Sequence, residues 1–313
     1  MPCKALPQLW WGFFLPMPHL ELTPLQISRL PAPRLLQQLK TALGDAYPEQ
    51  EAGAVAIWAL EEITRKNRAW LLAGGQLDIP QAGRLLQVLP RLLRHEPVQY
   101  IFGTATFAGL PLRVAAGVLI PRPETEEMAL LIARQYASSG LQVLDVGTGS
   151  GCLAITLALR LKNSKVTAVD ISGAALQIAR ENAKNNGATI NFVQTDILKD
   201  ELAGLPPLDL LVSNPPYVRQ QEKAEMQPNV LTWEPEAALF VPDHDPLVFY
   251  RKIAWLASKR LKPGGTVWVE INEALPAETA AVFTSQLPGS NVEVLDDFHG
   301  KPRFVRCTTA HEM

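Results

Sequence analysis

LQVLDVGTGSG, residues 141–151, runs as an apolar strand into three glycines, Gly147, Gly149 and Gly151, with a helical pattern directly behind them. Glycines at that junction tolerate positive φ and carry no side chain, so the backbone of a helix opening can approach a ligand closely. The spacing is G-x-G-x-G. A dinucleotide fingerprint would put its third glycine at position 152, which is Cys152. The loop by itself leaves NAD and S-adenosylmethionine open as ligands.

Outward from this loop, strand and helix patterns alternate to the end of the chain. Strands are expected at Gln142–Val146, Lys165–Asp170, 190–195, Leu208–Ser213, 266–271, 291–295 and 304–307. Helices are expected at 124–136, 151–161, 174–185 and 247–261. Such alternation predicts an open α/β sheet with helices on both faces and ligands at the carboxyl ends of the strands. Two of those ends carry acids. Asp170 closes KVTAVD, where a carboxylate can accept from both ribose hydroxyls, and Asp196 closes FVQTD, within reach of an adenine amino group.

Before the sheet, the chain reads as a small helical bundle. Leu35, Leu36, Leu39 and Leu43 recur at helical spacing, as do Ala52, Ala56, Ala59, Leu60 and Ile63. Asp78 followed by Pro80 marks a helix start, and Pro90 is expected to kink that helix. Val98, Tyr100, Phe102, Thr104, Thr106 and Phe107 favour strand and Ala108-Gly109 favours a turn, which predicts a β-hairpin bridging two domains. The division expected is a helical, substrate-docking domain at 1–95, a hairpin linker at 96–120 and the α/β domain at 121–313.

Composition narrows the function. The chain has 313 residues, 47% of them hydrophobic, and a formal net charge of -2. That charge offers no general attraction to nucleic acid. Cys3, Cys152 and Cys307 form no CxxC pair, and the five histidines never fall at metal-ligand spacing, so no metal is expected. The apolar start is broken by Pro7, Pro16 and Pro18 short of the ~20 residues of a membrane span, so a cytoplasmic protein without membrane association is expected.

The chemistry sits in LDLLVSNPPY, residues 208–217. An apolar strand ends at Asn214, and Pro215-Pro216 turns the chain away. Proline lacks an N–H, so the carbonyls here have no local donor. The Asn214 side-chain carbonyl and the Pro215 carbonyl then form a cluster of acceptors beside the Tyr217 ring. Such a cluster suits a planar amide or aromatic amine whose N–H hydrogens must be held. An amide nitrogen is a poor nucleophile, so orientation and neutral acceptors facing the charge that grows on nitrogen are what an enzyme can supply.

With these residues in view, the sequence resembles the class I methyltransferases, and within them the HemK/PrmC family of release-factor glutamine methyltransferases. The blocks that carry the likeness are EPVQYIFG (96–103), VLIPRPETEE (118–127), DVGTGSG (145–151), NPPYV (214–218) and EPEAAL (234–239), with KPGG (262–265) as a turn ahead of the fifth strand. The resemblance implies a Rossmann-like seven-stranded sheet with an N-terminal helical domain. It also implies methyl transfer from S-adenosyl-L-methionine to the glutamine of the Gly-Gly-Gln motif of peptide chain release factors. In this sequence Gly147, Thr148, Gly149, Ser150 and Gly151 would cradle the methionine end of the cofactor, and Asp170 would hold its ribose. Asp196 and Ile197 would line the adenine site, and Asn214 would reach both cofactor and substrate. Asn214, Pro215, Pro216 and Tyr217 would clamp the glutamine amide, and Phe102 with the 122–126 block would close over the cofactor. A release factor is the implied partner and a monomer the default state.

Three other readings compete with this one. A ribosomal-protein glutamine methyltransferase is close kin. A DNA adenine N6-methyltransferase would share NPPY but needs a basic target-recognition region, whereas Arg65, Lys66, Arg68, Arg84, Arg91 and Arg94 make only a mildly basic set. A non-catalytic cofactor-binding module has no use for Asn214. Gly74-Gly75-Gln76 repeats the target tripeptide within this chain and reads as a helix-capping turn.

Overall fold

The computed structural model describes residues 22–136 and 140–310, so Cys3 and the apolar stretch at 10–18 lie outside the described residues. The chain divides between Ile101 and Phe102 into two compact units.

The first unit is helical: α1 (Pro24–Ser28), α2 (Ala32–Leu43), α3 (Glu49–Thr64), α4 (Arg68–Leu72), α5 (Ile79–Leu92) and α6 (Val98–Phe102), whose last residue opens the second unit. The leucines at helical spacing in α2 are buried, as are Ala52, Ala56, Ala59, Leu60 and Ile63 of α3. Asp78 caps α5 by accepting from Gln81 N at 2.7 Å, and Gln81 Oε1 accepts from Asp78 N in return, a capping box. Pro90 lies in the last turn of α5, and the helix continues through it to Leu92. Gly74 takes φ +94° after α4, and Gly74 N and Gly75 N donate to Leu71 and Trp70 carbonyls, so the internal Gly-Gly-Gln forms the expected turn.

The hairpin is shorter than the sequence predicts. Val98–Phe102 is a helix, opened by Pro97, whose carbonyl accepts from Tyr100 N and Ile101 N. Proline suits the opening of a helix, and the burial of Val98 and Tyr100 on one turn overrides their strand preference. The hairpin proper is β1 (Thr104–Phe107) and β2 (Leu110–Arg113), antiparallel, closed by Ala108 and Gly109, both at positive φ as a tight two-residue hairpin turn requires. It belongs to the second unit.

The rest of that unit runs α7 (Pro123–Gln135), β3 (Gln142–Val146), α8 (Cys152–Arg160), β4 (Lys165–Asp170), α9 (Gly173–Asn186), β5 (Ile190–Gln194), β6 (Leu208–Ser213), β7 (Val218–Arg219), α10 (Pro228–Trp233), α11 (Glu236–Leu239), β8 (Phe240–Val241), α12 (Val248–Arg260), β9 (Leu261–Glu270), α13 (Pro276–Gln286), β10 (Asn291–Asp296) and β11 (Pro302–Thr308). The seven-stranded sheet has the order β10-β11-β9-β6-β3-β4-β5. Its strands are parallel from β9 to β5, and β11 is antiparallel to both its neighbours. Helices cover both faces, which is why strands such as LDLLVS are apolar throughout. Val143, Leu210, Val212 and Trp268 pack under α7 and α8, whereas Leu144, Val146, Leu211, Val267 and Val269 pack under α12 and α13.

One expectation is corrected within β9. The KPGG residues do not precede the strand but bulge inside it, because Leu208 pairs with Leu261 and Leu210 with Thr266. Gly264 sits at φ +74°, and a Cβ on Gly265 would lie 2.8 Å from the Lys262 carbonyl, so both glycines permit the bulge.

Asn182 of α9 joins the hairpin to the glycine loop. Its Oδ1 accepts from Arg113 N at 2.6 Å, and its Nδ2 donates to the carbonyls of Arg113 and Ser150, each at 2.9 Å. Replacing it leaves buried backbone groups without partners, at about 1–3 kcal/mol each. Asn182→Ala is therefore expected to lower the unfolding free energy in urea by about 3 kcal/mol, and an unchanged midpoint would refute this tie.

Candidate active site

The chain order reverses beside β3: β4 and β5 lie to one side, β6 and β9 to the other. The crevice at the carboxyl ends of β3 and β6 is thus the switch point at which open sheets bind ligands. A cavity of about 320 Å³ opens there, walled by Gly147 and Gly149 after β3, Asp170 after β4, Asp196, Ile197 and Leu198 after β5, and Asn214, Pro215 and Pro216 after β6. A wider groove of about 450 Å³ runs between the hairpin, α7 and Phe298. It lies off the strand ends, so topology rather than size selects the smaller cavity.

The glycine loop is built from positive-φ residues. Gly147, Gly149 and Gly151 have φ of 74°, 55° and 82°. Gly147 N and Thr148 N donate to the Val169 carbonyl, tying the loop to the end of β4. Gly151 caps α8, where a Cβ would press on Ala179 and Ile155 at 3.1 Å. Thr148 and Ser150 line a recess of about 40 Å³ beside the main cavity, together with Thr125, Asp145, Cys152 and Asn214.

Asp170 holds both the loop and the turn that follows β4. Its Oδ2 accepts from Gly149 N at 2.9 Å and its Oδ1 from Ser172 N at 2.8 Å. Burial raises its pKa, and these backbone donors oppose that. Each carboxylate oxygen has a further lone pair, which keeps Asp170 able to accept from a ligand at the wall it lines. Asp196 is paired with Lys199 at 2.8 Å and accepts from Leu198 N, and the bond from Lys199 lowers its pKa.

Asn214 is held from behind. Its Nδ2 donates to Thr125 Oγ1 at 2.8 Å, Thr125 Oγ1 donates to Glu270 Oε2 at 2.6 Å, and Tyr217 OH donates to Glu270 Oε1 at 2.9 Å. Oδ1 of Asn214 and the Pro215 carbonyl accept from no described residue. Around the opposite rim, Glu234 accepts from Ile120 N at 3.1 Å and from Arg122 at 2.7 Å, which joins the 118–127 and 234–239 blocks. Pro235, Ala237 and Ala238 of the latter complete the wall, with Phe249.

Of the residues expected from the sequence, the cavity and its recess gather Gly147, Thr148, Gly149, Ser150, Asp170, Asp196, Ile197, Asn214, Pro215 and Pro216. Gly151 stands behind the wall as a helix cap. Tyr217 packs on the core with its hydroxyl on Glu270 and lines neither space, and Phe102 at the end of α6 is not among the lining residues. Glu270 is not among the residues expected from the sequence, and Thr125 was expected only as part of the 122–126 block. The signal was present: Glu270 is an acid at the end of WVE, on the strand beside β6, as Asp170 and Asp196 end theirs.

A seven-stranded sheet of this order, with a glycine-loop cavity at its switch point and Asn-Pro-Pro-Tyr on the neighbouring strand end, defines a class I methyltransferase. The family model for the methyltransferase small domain matches residues 127–234, and that for the PrmC N-terminal domain matches residues 34–103. Release factor glutamine methyltransferases of Bacteroides thetaiotaomicron and Flavobacterium psychrophilum are each 40% identical, over 87% and 86% of this chain and 98% and 96% of their own. The chain belongs to the release factor glutamine methyltransferase family. A solved release-factor-specific protein-(glutamine-N5) methyltransferase from Alicyclobacillus acidocaldarius is 29% identical, covering 61% of this chain and 94% of its own at a TM-score of 0.40. Among the described residues no helix is long and apolar enough to cross a membrane.

Asp145 of β3 gives a test by pH. It is buried beside the loop, accepts from Thr148 Oγ1 at 2.6 Å, and desolvation pushes its pKa up to about 7. A carboxyl whose folded pKa exceeds its unfolded value, about 3.9, favours folding while protonated and loses that contribution as pH rises through the folded value. The stability of Asp145→Asn relative to the parent protein should therefore grow between pH 4 and pH 7 in urea melts, then level off. A pH-independent difference would contradict the burial of a titrating Asp145.

Proposed function

We propose that this chain transfers a methyl group from S-adenosyl-L-methionine to the side-chain amide nitrogen of the glutamine in the Gly-Gly-Gln motif of peptide chain release factors. The observation that carries the reading is the Asn214 carboxamide on the cavity wall, whose NH₂ donates to Thr125 so that its carbonyl is turned away from that bond. An acceptor there, with the Pro215 carbonyl, fits the NH₂ of a glutamine.

The wall fits the cofactor. Asp170 would accept from the ribose hydroxyls, Asp196 and Ile197 would flank the adenine, and the loop from Gly147 to Gly151 would receive the methionine end. When bound, the cofactor supplies an electrophilic methyl on a sulfonium. The protein's part is positional. Asn214 and Pro215 bind the amide hydrogens, hold the nitrogen lone pair toward the methyl, and stabilise the positive charge that grows on nitrogen. The nitrogen falls back to neutral when one of the two amide protons leaves to solvent after transfer. Pro215 and Pro216 keep water off the reacting atoms and stiffen the turn. Tyr217 would support the clamp through Glu270, and Phe102 and the 122–126 block would close over the cofactor. The helical unit would dock the release factor. Deletion of the residues before Pro97 is then expected to abolish methylation of the intact factor while cofactor binding persists.

The direct test offers the protein and methyl-labelled cofactor a release factor, ribosomal proteins and duplex DNA together, then maps the label by peptide and nucleoside mass. One methyl on the Gly-Gly-Gln glutamine is expected. Label on a ribosomal protein or on an adenine instead would overturn the reading. Asn214→Ala should reduce kcat by about 10²-fold with cofactor affinity little changed, the usual scale for loss of one preorganised hydrogen bond.

A further inference from the structure

A carboxamide is nearly symmetric in shape but opposite in polarity at its two ends. A site that uses Asn214 as an acceptor must therefore prevent it from turning over, since the flipped form would present NH₂ to NH₂. Nothing in the Asn-Pro-Pro-Tyr turn itself does this. The chain of bonds behind it does.

An ionised carboxylate only accepts. Both oxygens of Glu270 are engaged, one by Tyr217 OH at 2.9 Å and one by Thr125 Oγ1 at 2.6 Å. The single proton of the Thr125 hydroxyl is committed to Glu270, so toward Asn214 that hydroxyl offers only a lone pair. Asn214 must then meet it with Nδ2, at 2.8 Å, and its Oδ1 is fixed on the cavity side. Glu270 and Thr125 are both buried, so the bond between them is shielded from bulk solvent and the threonine proton stays on the carboxylate.

We propose that Glu270 and Thr125 act as a polarity relay, positioning residues that set which end of the Asn214 carboxamide faces the substrate amide. The inference rests on the reading of Asn214 as the acceptor for a glutamine NH₂. The relay runs across three elements: Glu270 closes β9, Thr125 lies in α7, and Asn214 follows β6. Register brings the first and last together, because Ser213 pairs with Val269, one residue before each.

A relay of this kind depends on the charge of Glu270. Once protonated, Glu270 can donate to Thr125, which frees the threonine proton to donate to Asn214 and favours the flipped amide. Around Glu270 stand Thr125 and Glu124 of α7, Tyr217 of the turn, Tyr250 of α12 and Arg303 of β11. Burial raises the carboxyl pKa above the ordinary glutamate range, and the two hydroxyl bonds and Arg303 oppose it. Activity is thus present above that pKa and lost below it. In Glu270→Gln one of the two acceptors becomes an NH₂ donor, so Thr125 and Tyr217 can no longer both donate to this side chain, and the titrating group is gone.

The test compares Thr125→Val, Thr125→Ser and Glu270→Gln with the parent protein. For each, kcat and KM on a release factor are measured from pH 5 to 9, with the affinity for S-adenosylhomocysteine by calorimetry. Thr125→Val and Glu270→Gln should lose roughly 10- to 100-fold in kcat, with KM and the calorimetric affinity within about threefold. Thr125→Ser, which keeps the hydroxyl, should recover most of the loss. The acid limb of kcat should vanish in Glu270→Gln. Undiminished kcat in Thr125→Val, or Thr125→Ser as impaired as Thr125→Val, would overturn the relay. If Thr125→Val fails to fold, Glu270→Gln and its pH profile decide the matter alone.

A second readout needs no turnover. Hydrogen exchange of the Asn214 side-chain NH₂, followed by NMR in ¹⁵N-labelled protein, should be slow in the parent and fast in Thr125→Val. If the parent methylates nothing in a release factor yet shows that protection and its loss, the substrate reading fails and the relay stands. Equally fast exchange in both proteins removes the relay whatever the substrate.

Discussion

Three segments far apart in the chain meet at one hydrogen bond, from Asn214 Nδ2 to Thr125 Oγ1 at 2.8 Å. Asn214 comes from the end of β6, Thr125 from the helix after the hairpin, and Glu270, on which Thr125 leans, from the end of β9. The order of the sheet makes this meeting possible, because β6 lies between β3, which carries the glycine loop, and β9, which carries the acid. The glycine-loop cavity on one side of Asn214 and a buried carboxylate on the other give its carboxamide an open wall to face and an anchor to be held by. The rest of the α/β unit serves to keep these strand ends in register.

That arrangement divides the work between charged and neutral groups. The acids at the strand ends, Asp170 and Glu270, are tied into the protein by backbone or hydroxyl donors and do not compete for the substrate nitrogen. The groups left facing the cavity at the Asn-Pro-Pro turn are neutral acceptors. For an amide nucleophile this is the suitable polarity: a neutral amide has no proton that a side-chain base at ordinary pKa would remove before the methyl arrives, but it does acquire positive charge as the bond forms. Preorganised carbonyls meet that charge without reorganising.

Much of the architecture was legible in the sequence because it follows from patterns that physics ties closely to structure. Apolar strands at Gln142–Val146, Lys165–Asp170 and Leu208–Ser213 occur with the bounds expected, since burial on both faces leaves no ambiguity of period. The helix start at Asp78 was readable for a similarly local reason. Where tertiary context decides, the reading failed. Val98–Phe102 has the composition of a strand but forms a helical turn, and KPGG bulges inside β9 because the pairing with β6 reaches past it. The candidate site was legible in its parts: Gly147, Gly149, Asp170, Asp196 and Asn-Pro-Pro all border the cavity. Its connections were not. Thr125 sits within the 118–127 block and Glu270 ends a strand, yet only the sheet order shows that they stand behind Asn214, and that the Tyr217 hydroxyl is bound to Glu270.

The central claim is that the acceptor end of Asn214, with the Pro215 carbonyl, grips the NH₂ of a substrate glutamine. A crystal structure of the protein with S-adenosylhomocysteine and a Gly-Gly-Gln peptide tests it most directly. The account predicts the glutamine nitrogen within hydrogen-bonding distance of both Asn214 Oδ1 and the Pro215 carbonyl, on the side facing the cofactor sulfur, with Asn214 Nδ2 still on Thr125. A glutamine seated elsewhere, or an Asn214 turned to offer its NH₂ to the peptide, would contradict it.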